Sequence, residues 1–368
     1  MEETYIPHAA VRLCKINSDQ WRVSHLIDKK EYDVEALVAA VLTLFCGGET
    51  VHSFFNKAKN IINHFEENKL LSLIEYLKKK NILIEKNDPE NQTYQQLIKK
   101  WCSYGWSEAA DYYLSSISYP FVEGTVYDYN NNDIKRMSSY YTEEPDLNRS
   151  KEYENPIKII KLPTTADALT SDFFQVDCST ALNSPNTITR NIVLNREHIE
   201  ILFSVVFGVL RSRSMDMNGV ADAIRKTSPS GGSRHPTEGY IIVNGEIDGL
   251  SGAYHFSVSK NALEQINSKV SHEELAYTYP GLFRNSITPK AIIVLSSLFE
   301  RNMYRYREPR TFRSIFIDIG HISETIRLVS QALGFQFFSH TYIDFTKAEL
   351  MLKIDPLEEG IFYSIGIK

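Results

Sequence analysis

The sequence predicts an α+β fold from about residue 160 onward, preceded by a small and mostly helical unit. Three observations carry that prediction. Ile199, Ile201, Leu202, Val205, Val206 and Val209 recur at helical spacing, one apolar stripe on one face. Gly239-Tyr-Ile-Ile-Val243 reads as a buried strand. A long helical pattern over about 311–333 stops at Gly334, a residue suited to ending helices.

In chain order, residues 1 to about 95 form the first unit. Leu37, Val38, Val41, Leu42 and Leu44 predict one buried helix, stopped by Gly47-Gly48. Phe54 to Phe65 and Leu70 to Lys80 follow as amphipathic helices. The stretch Ile74 to Glu85 resembles the end of a winged helix-turn-helix, where a helix runs into a wing strand, so a winged-helix-like docking or peptide-binding domain is expected. Such modules also bind DNA. Here Lys78, Lys79, Lys80 and Lys86 are balanced by Glu66, Glu67, Glu75 and Glu85, which reads as a solvated face rather than a phosphate footprint.

Residues 96–160 read as a connector, with a helix around Trp106 to Ser116. Its polar stretch Asp128 to Asn155 suits a lid, a partner-binding loop or a linker. Residues 161–368 form the last domain. Helices are expected at 196–210 and 218–226, then strands at 239–244 and around Tyr254-His255-Phe256. A helix near 259–267, a strand at 290–297, the long helix and strands at 335–343 and 360–367 complete it.

At 368 residues the chain is long enough for two or more cores. A net charge of −6 gives no general attraction to nucleic acid or an anionic membrane. The longest apolar run, Ala36 to Cys46, is too short to span a bilayer, and Met-Glu-Glu does not begin a signal peptide. Cys14, Cys46, Cys102 and Cys178 lie far apart, which argues for reduced thiols in a cytoplasm and against structural zinc. The histidines show no metal-ligand grouping, so no metal is expected.

The stretch Thr227-Ser-Pro-Ser-Gly-Gly-Ser-Arg-His-Pro236 has no side chain large enough to build core, yet lies between a helical and a strand pattern. Gly231 and Gly232 permit positive φ and close backbone approach, and Arg234 adds a forked charge. That composition suits an anion or cofactor turn. It also suits an ordinary tight connection.

Four segments in order resemble the nitroreductase superfamily, in particular its SagB/McbC-type peptide-maturation dehydrogenases (azoline dehydrogenases). They are Ser228-Pro-Ser-Gly-Gly-Ser-Arg-His-Pro-Thr-Glu-Gly-Tyr240, then Gly252-Ala-Tyr-His-Phe256 with Ala262-Leu-Glu264. Next come Arg310-Thr-Phe-Arg313 with Asp318-Ile-Gly-His321, and finally Asp355-Pro-Leu-Glu-Glu-Gly360 with Tyr363 to Lys368. Trp106-Ser-Glu-Ala-Ala-Asp-Tyr-Tyr113 is similar to a further helix of that family. The resemblance implies a mostly antiparallel central sheet flanked by helices, FMN at a homodimer interface, and a ribosomally made precursor peptide as substrate. It further implies a biosynthetic partner such as a cyclodehydratase. The implied reaction is oxidation of azolines to azoles; relatives instead reduce dehydroalanine with reduced flavin, which draws on NAD(P)H.

Two departures qualify that implication. The family's Lys-Tyr pair falls on Asn302 to Pro309, where Arg305-Tyr306 or Met303-Tyr304 stands. An arginine stays protonated and is a poor general base, so Tyr306 becomes the acid/base candidate with Arg305 holding charge beside it. The family's Arg-Arg-Ser phosphate element reads Asn186 to Ile192 here and keeps only Arg190. Each lost charged hydrogen bond costs roughly 1.5–3 kcal/mol, about one to two decades of affinity. Arg225, Arg234 and Lys368 are the candidates to compensate, with Ser228, Ser230, Gly231 and Gly232 expected on the flavin ring. A non-catalytic scaffold subunit is the alternative these departures motivate. His255, on a strand, suits a satisfied core histidine, and Asp318 and His321, one helical turn apart, suit structural hydrogen bonds.

Overall fold

The computed structural model describes residues 3–61, 66–119, 128–144, 150–183, 192–213, 223–284 and 288–368. The chain divides into two compact units, Met1–Thr125 and Val126–Lys368.

In the first unit, β1 (Tyr5–Pro7) is followed by β2 (Val11–Lys15), β3 (Gln20–His25) and β4 (Lys30–Glu35), an antiparallel meander. Helices α1 (Ala36–Phe45), α2 (Val51–Ala58) and α3 (Glu67–Lys79) lead to β5 (Leu83–Glu85), then α4 (Pro89–Ser103) and α5 (Ser107–Ser116). Thr50 caps α2 by accepting the Ser53 N–H, and Asp88 caps α4 from the Asn91 N–H, with Pro89 in the first turn. Val41, Phe45, Phe54, Leu70, Ile74 and Leu77 close one core over Val23 and Leu83. Helix α3 runs into a strand as anticipated, but β5 pairs with β1, Tyr5 opposite Glu85. Residue 95 lies within α4.

A pair of buried histidines, His8 and His25, sits in this unit with ring centroids 4.5 Å apart. Each uses Nδ1 as an acceptor, from the Ala10 and Asp28 N–H groups respectively. Burial pushes His8 down to about 4, so both rings stay neutral near pH 7.

The second unit opens with α6 (Tyr129–Glu143), β6 (Lys158–Lys161), α7 (Thr165–Leu169), α8 (Cys178–Asn183) and α9 (Arg196–Phe207). Strands β7 (Arg211–Arg213) and β8 (Ala223–Arg225) form a two-stranded sheet. Then come β9 (Thr237–Ile247), β10 (Leu250–Ser257), β11 (Ala262–Asn267), α10 (His272–Thr278), β12 (Ala291–Leu298), α11 (Phe299–Met303) and α12 (Phe312–Ala332). The chain finishes with β13 (Phe337–His340), α13 (Phe345–Leu352) and β14 (Glu359–Ile367).

Seven strands make one sheet in the order β13-β14-β12-β9-β10-β11-β6, every pairing antiparallel. Alternation splits its side chains between two cores. Ile241, Val243, Tyr254, Phe256, Ile293 and Leu295 face the layer of α9 and α12. Tyr240, Ile242, Ala253, Ile292 and Val294 face Leu275 of α10 and Leu352 of α13. This is the expected α+β layout. Its two edge strands, β6 and β13, are four residues each, against eight to eleven for β9, β10, β12 and β14.

Three local expectations are corrected. Residues 262–267 are strand, not helix: Asn261 turns the chain at φ 45°, and β11 is buried on both faces, so no alternation marks it. Ala223–Arg225 is strand, pairing Arg225 with Arg211; three residues are too few for periodicity to decide, and 214–222 lie outside the described residues. The polar stretch after Asp128 contains helix α6. Among the described residues no helix is long and apolar enough to cross a membrane.

Candidate functional site

The turn Ser228–Pro236 joins β8 to β9 and is fastened by α12. Gly232 lies at φ 61°, and Ser233 and His235 also take positive φ. Asp318, buried on α12, accepts the Ser230 hydroxyl at 2.6 Å and the Gly231 N–H at 3.2 Å. Burial pushes the Asp318 carboxyl up; these two donors pull the other way. Ser230 Oγ accepts the His235 N–H at 2.9 Å, and Ser228 Oγ lies 2.7 Å from Thr325 Oγ1, about two helix turns further along α12. Asp318 therefore acts on the turn. His235 is buried with Nε2 3.1 Å from the Ile224 carbonyl, which makes Nε2 the donor. Burial first, then the nearby Lys226 charge, lowers its pKa to about 4, so the ring is neutral.

Tyr306 follows α11 and meets this turn from the other side. Its N–H donates to the Asn302 carbonyl at 2.9 Å, and its ring packs on Gly232, where a Cβ would lie 3.1 Å from Cζ and nearer still to the hydroxyl. Arg305 stands 4.8 Å from the Tyr306 ring centroid and pairs with Asp133 of α6 at 2.5 Å. Arg307 lies 3.9 Å from the Tyr140 ring and pairs with Glu143 and Glu144. Beside Tyr306 opens a cavity of about 870 Å³ whose wall includes Phe299, Asn302, Met303, Phe312 and Leu357.

Of the sequence candidates, Ser230, Gly231, Gly232, Tyr306 and Arg305 are brought together, with Ser228 at the base of the turn. Arg234 is half-buried, and its Nε donates to the Gly232 carbonyl at 3.1 Å. Arg225 is exposed on β8, one residue beyond the Ile224 carbonyl that holds His235. Lys368 is exposed and bonded through its backbone to Gln336. Arg190 lies outside the described residues.

Sequence reasoning passed over a row of buried polar side chains crossing the sheet on its α10/α13 face. His255 is, as its strand position suggested, satisfied in the core. Its Nε2 lies 2.7 Å from Glu238 and its Nδ1 3.4 Å from Glu264. Burial lowers the His255 pKa, but the two carboxylates outweigh it and the net shift is upward. Glu238 also pairs with Arg301, 2.5 Å away. Burial would raise Glu238, yet Arg301 and His255 hold it well below the usual carboxylate range. The row continues through Tyr240, which donates to Glu359 at 2.8 Å; Glu359 also binds Lys151 and the Ser296 hydroxyl. The available signal was two acidic residues, Glu238 and Glu264, in strands whose neighbouring residues include Tyr240-Ile-Ile-Val243 and Ala262-Leu263.

FMN, which the resemblance implies, fits this place. Gly231 leaves open space, a Cβ there meeting only Ser314 Cβ at 3.6 Å. Arg301 Nε and Nη2 and Asn302 Oδ1 are buried without hydrogen-bond partners among the described residues. Two donors and an acceptor behind a glycine turn suit the polar edge of a flavin ring.

No family model matches this chain. It is 29% identical over 259 residues to the trifolitoxin-processing protein TfxB of Rhizobium leguminosarum bv. trifolii, covering 69% of this chain and 68% of that protein. A candidate nitroreductase of Methanocaldococcus jannaschii is 26% identical over 140 residues, which is 38% of this chain and 64% of that one. Among solved structures, a candidate nitroreductase from Anabaena variabilis superposes with a TM-score of 0.45 at 20% identity. That superposition covers 63% of this chain and 46% of the other.

Proposed function

Because this chain is a relative of the nitroreductase superfamily of oxidoreductases, of the peptide-maturation dehydrogenase type, we propose that it is an FMN-dependent enzyme that modifies a ribosomally made precursor peptide, oxidising azolines to azoles. The observation that carries this reading is the contact of Tyr306 with Gly232, which joins a candidate acid/base side chain lining a large cavity to a glycine turn. When bound, FMN supplies the two-electron acceptor for a hydride leaving substrate Cβ. The chain's own task is then to orient the peptide and to move the Cα proton. Gly231, Gly232 and Ser230 provide a close-approach surface held by Asp318; Arg225, with Arg211 opposite it and with Arg190, Arg234 and Lys368, supplies positive charge for a phosphate. Phe299, Met303, Phe312 and Leu357 offer apolar contact to substrate side chains.

One observation favours a second reading, reduction of dehydroamino acids with NAD(P)H as the electron source. Tyr306 carries an O–H that can donate into the cavity it lines, and the neighbouring Arg305 is committed to Asp133. In that direction Tyr306 Oη protonates Cα after hydride reaches Cβ.

The first unit is proposed as the docking site for the precursor peptide or a partner such as a cyclodehydratase. A homodimer is proposed as well, supported by Phe312, Phe316, Ile317 and Leu357, large apolar side chains exposed on or near α12. The deciding test is the visible spectrum of freshly purified protein, with identification of any chromophore released on denaturation. Released FMN, then turnover of an azoline peptide with O₂ or of a dehydroalanine peptide with NADPH, separates the two directions. Colourless protein that takes up no added FMN leaves the scaffold subunit as the reading.

A further inference from the structure

The buried charges in the sheet raise a question that stability does not answer. Glu264, His255, Glu238 and Arg301 form a chain of ion pairs and charged hydrogen bonds from β11 to α11, and Lys260 closes its outer end on Glu264 at 2.7 Å. Apolar side chains of similar volume often serve a core as well as a buried ion pair does, so such a pair is weak evidence for stability. What this one does is reach the turn. Arg301 Nη1, besides pairing with Glu238, donates at 2.9 Å to the carbonyl of His235. His235 is a non-glycine residue at φ 47°, a conformation that persists only when its surroundings impose it.

The same short helix serves the other partner of the site. Asn302, next to Arg301, accepts the Tyr306 N–H through its carbonyl and donates through Nδ2 to Ser314, the residue beside Gly231. One turn of α11 therefore grips the His235 end of the glycine turn with one residue and Tyr306 with the next. We infer that Arg301, besides the Nε and Nη2 it offers a flavin, is through Nη1 a positioning residue, which transmits the fixed geometry of the sheet to the Gly231–Gly232 backbone and, with Asn302, to Tyr306. Its consequence for cofactor binding rests on the FMN reading above; the positioning itself does not.

The test is Arg301→Lys in the full chain, which keeps a cation opposite Glu238 but replaces a forked group by a point charge. Amide hydrogen exchange is measured in FMN-free protein, and FMN affinity by fluorescence titration. The expected result that decides positioning is exchange at least tenfold faster at residues 231–235 of the FMN-free protein, with β9 and β12 unchanged; FMN binding weakened at least tenfold is expected as well, from the lost positioning together with the lost Nε and Nη2 donors. Unchanged turn amides would overturn the proposal, as would acceleration spread evenly through the sheet, which marks a purely structural role. Should Arg301→Lys not fold, the double variant Glu238→Gln/Arg301→Met removes both charges together and carries the same exchange measurement. Wild-type protein that binds no FMN defeats the functional reading, while the exchange result still decides the positioning one.

Discussion

Tyr306 rests on the Cα of Gly232, and no residue with a Cβ fits at that position while the tyrosine stays where it is. The backbone there is left-handed, at φ 61°, so alanine meets two penalties at once. The left-handed conformation alone costs roughly 1–2 kcal/mol. Gly232→Ala is expected to lower the melting temperature by a few degrees and to weaken FMN binding, both measured on one preparation. An alanine variant with parental affinity and turnover would disconnect the turn from Tyr306.

Removing only the hydroxyl asks a narrower question. Tyr306→Phe keeps the ring on Gly232 and the backbone bond to Asn302. Turnover of the peptide substrate should fall by roughly 10²–10⁴, the usual contribution of a placed acid or base. FMN affinity and thermal stability should stay near those of the parent, and a simultaneous loss of all three would point to misfolding instead.

Asp318 fastens the turn to α12. Asp318→Ala leaves the Ser230 hydroxyl and the Gly231 N–H without their acceptor, at roughly 1–3 kcal/mol. Asp318→Asn keeps an acceptor oxygen and should cost less than half as much. Denaturant unfolding midpoints for the three proteins check the order, which is parent, then Asn, then Ala.

Acid should weaken both units through histidines buried neutral. His8 in the first unit and His235 in the second are each lowered from 6.5 to about 4. A depressed pKa makes the stabilisation complete above about pH 6.5, and it is lost progressively as the pH falls toward 4. Each contributes at most roughly 3 kcal/mol. His255 has the opposite sign: its raised pKa stabilises at lower pH, and that contribution fades as the pH rises through its folded value. Melts between pH 7.5 and 4.5 should show a falling transition temperature, and His8→Asn, which retains an acceptor near Nδ1, should flatten the slope of the first unit.

Much of the second unit was readable because its long elements have clean periods. Helices α9 and α12 follow from the spacing of their apolar residues, and strands β9 and β12 from continuous apolar runs. Strand β11 was not, because it is buried on both faces and so shows no alternation, while Glu264 and Gln265 break the apolar run that marks β9 and β12. The turn was legible through its composition, and Tyr306 through its place in a motif. What brings them together was not: Asp318 reaching across to Ser230, and Arg301 to His235, are long-range pairings no local pattern encodes. The polar row from Glu264 to Glu359 was hidden for a related reason. Its members look like isolated polar residues until the antiparallel register sets them side by side.

The sheet's uneven strand lengths bear on how the protein associates. Both flanking strands, β6 and β13, offer only four residues of open ladder, while the longer strands are enclosed between neighbours on either side. On this sheet, among the described residues, a second molecule therefore finds little backbone to pair with, which blunts edge-to-edge growth there.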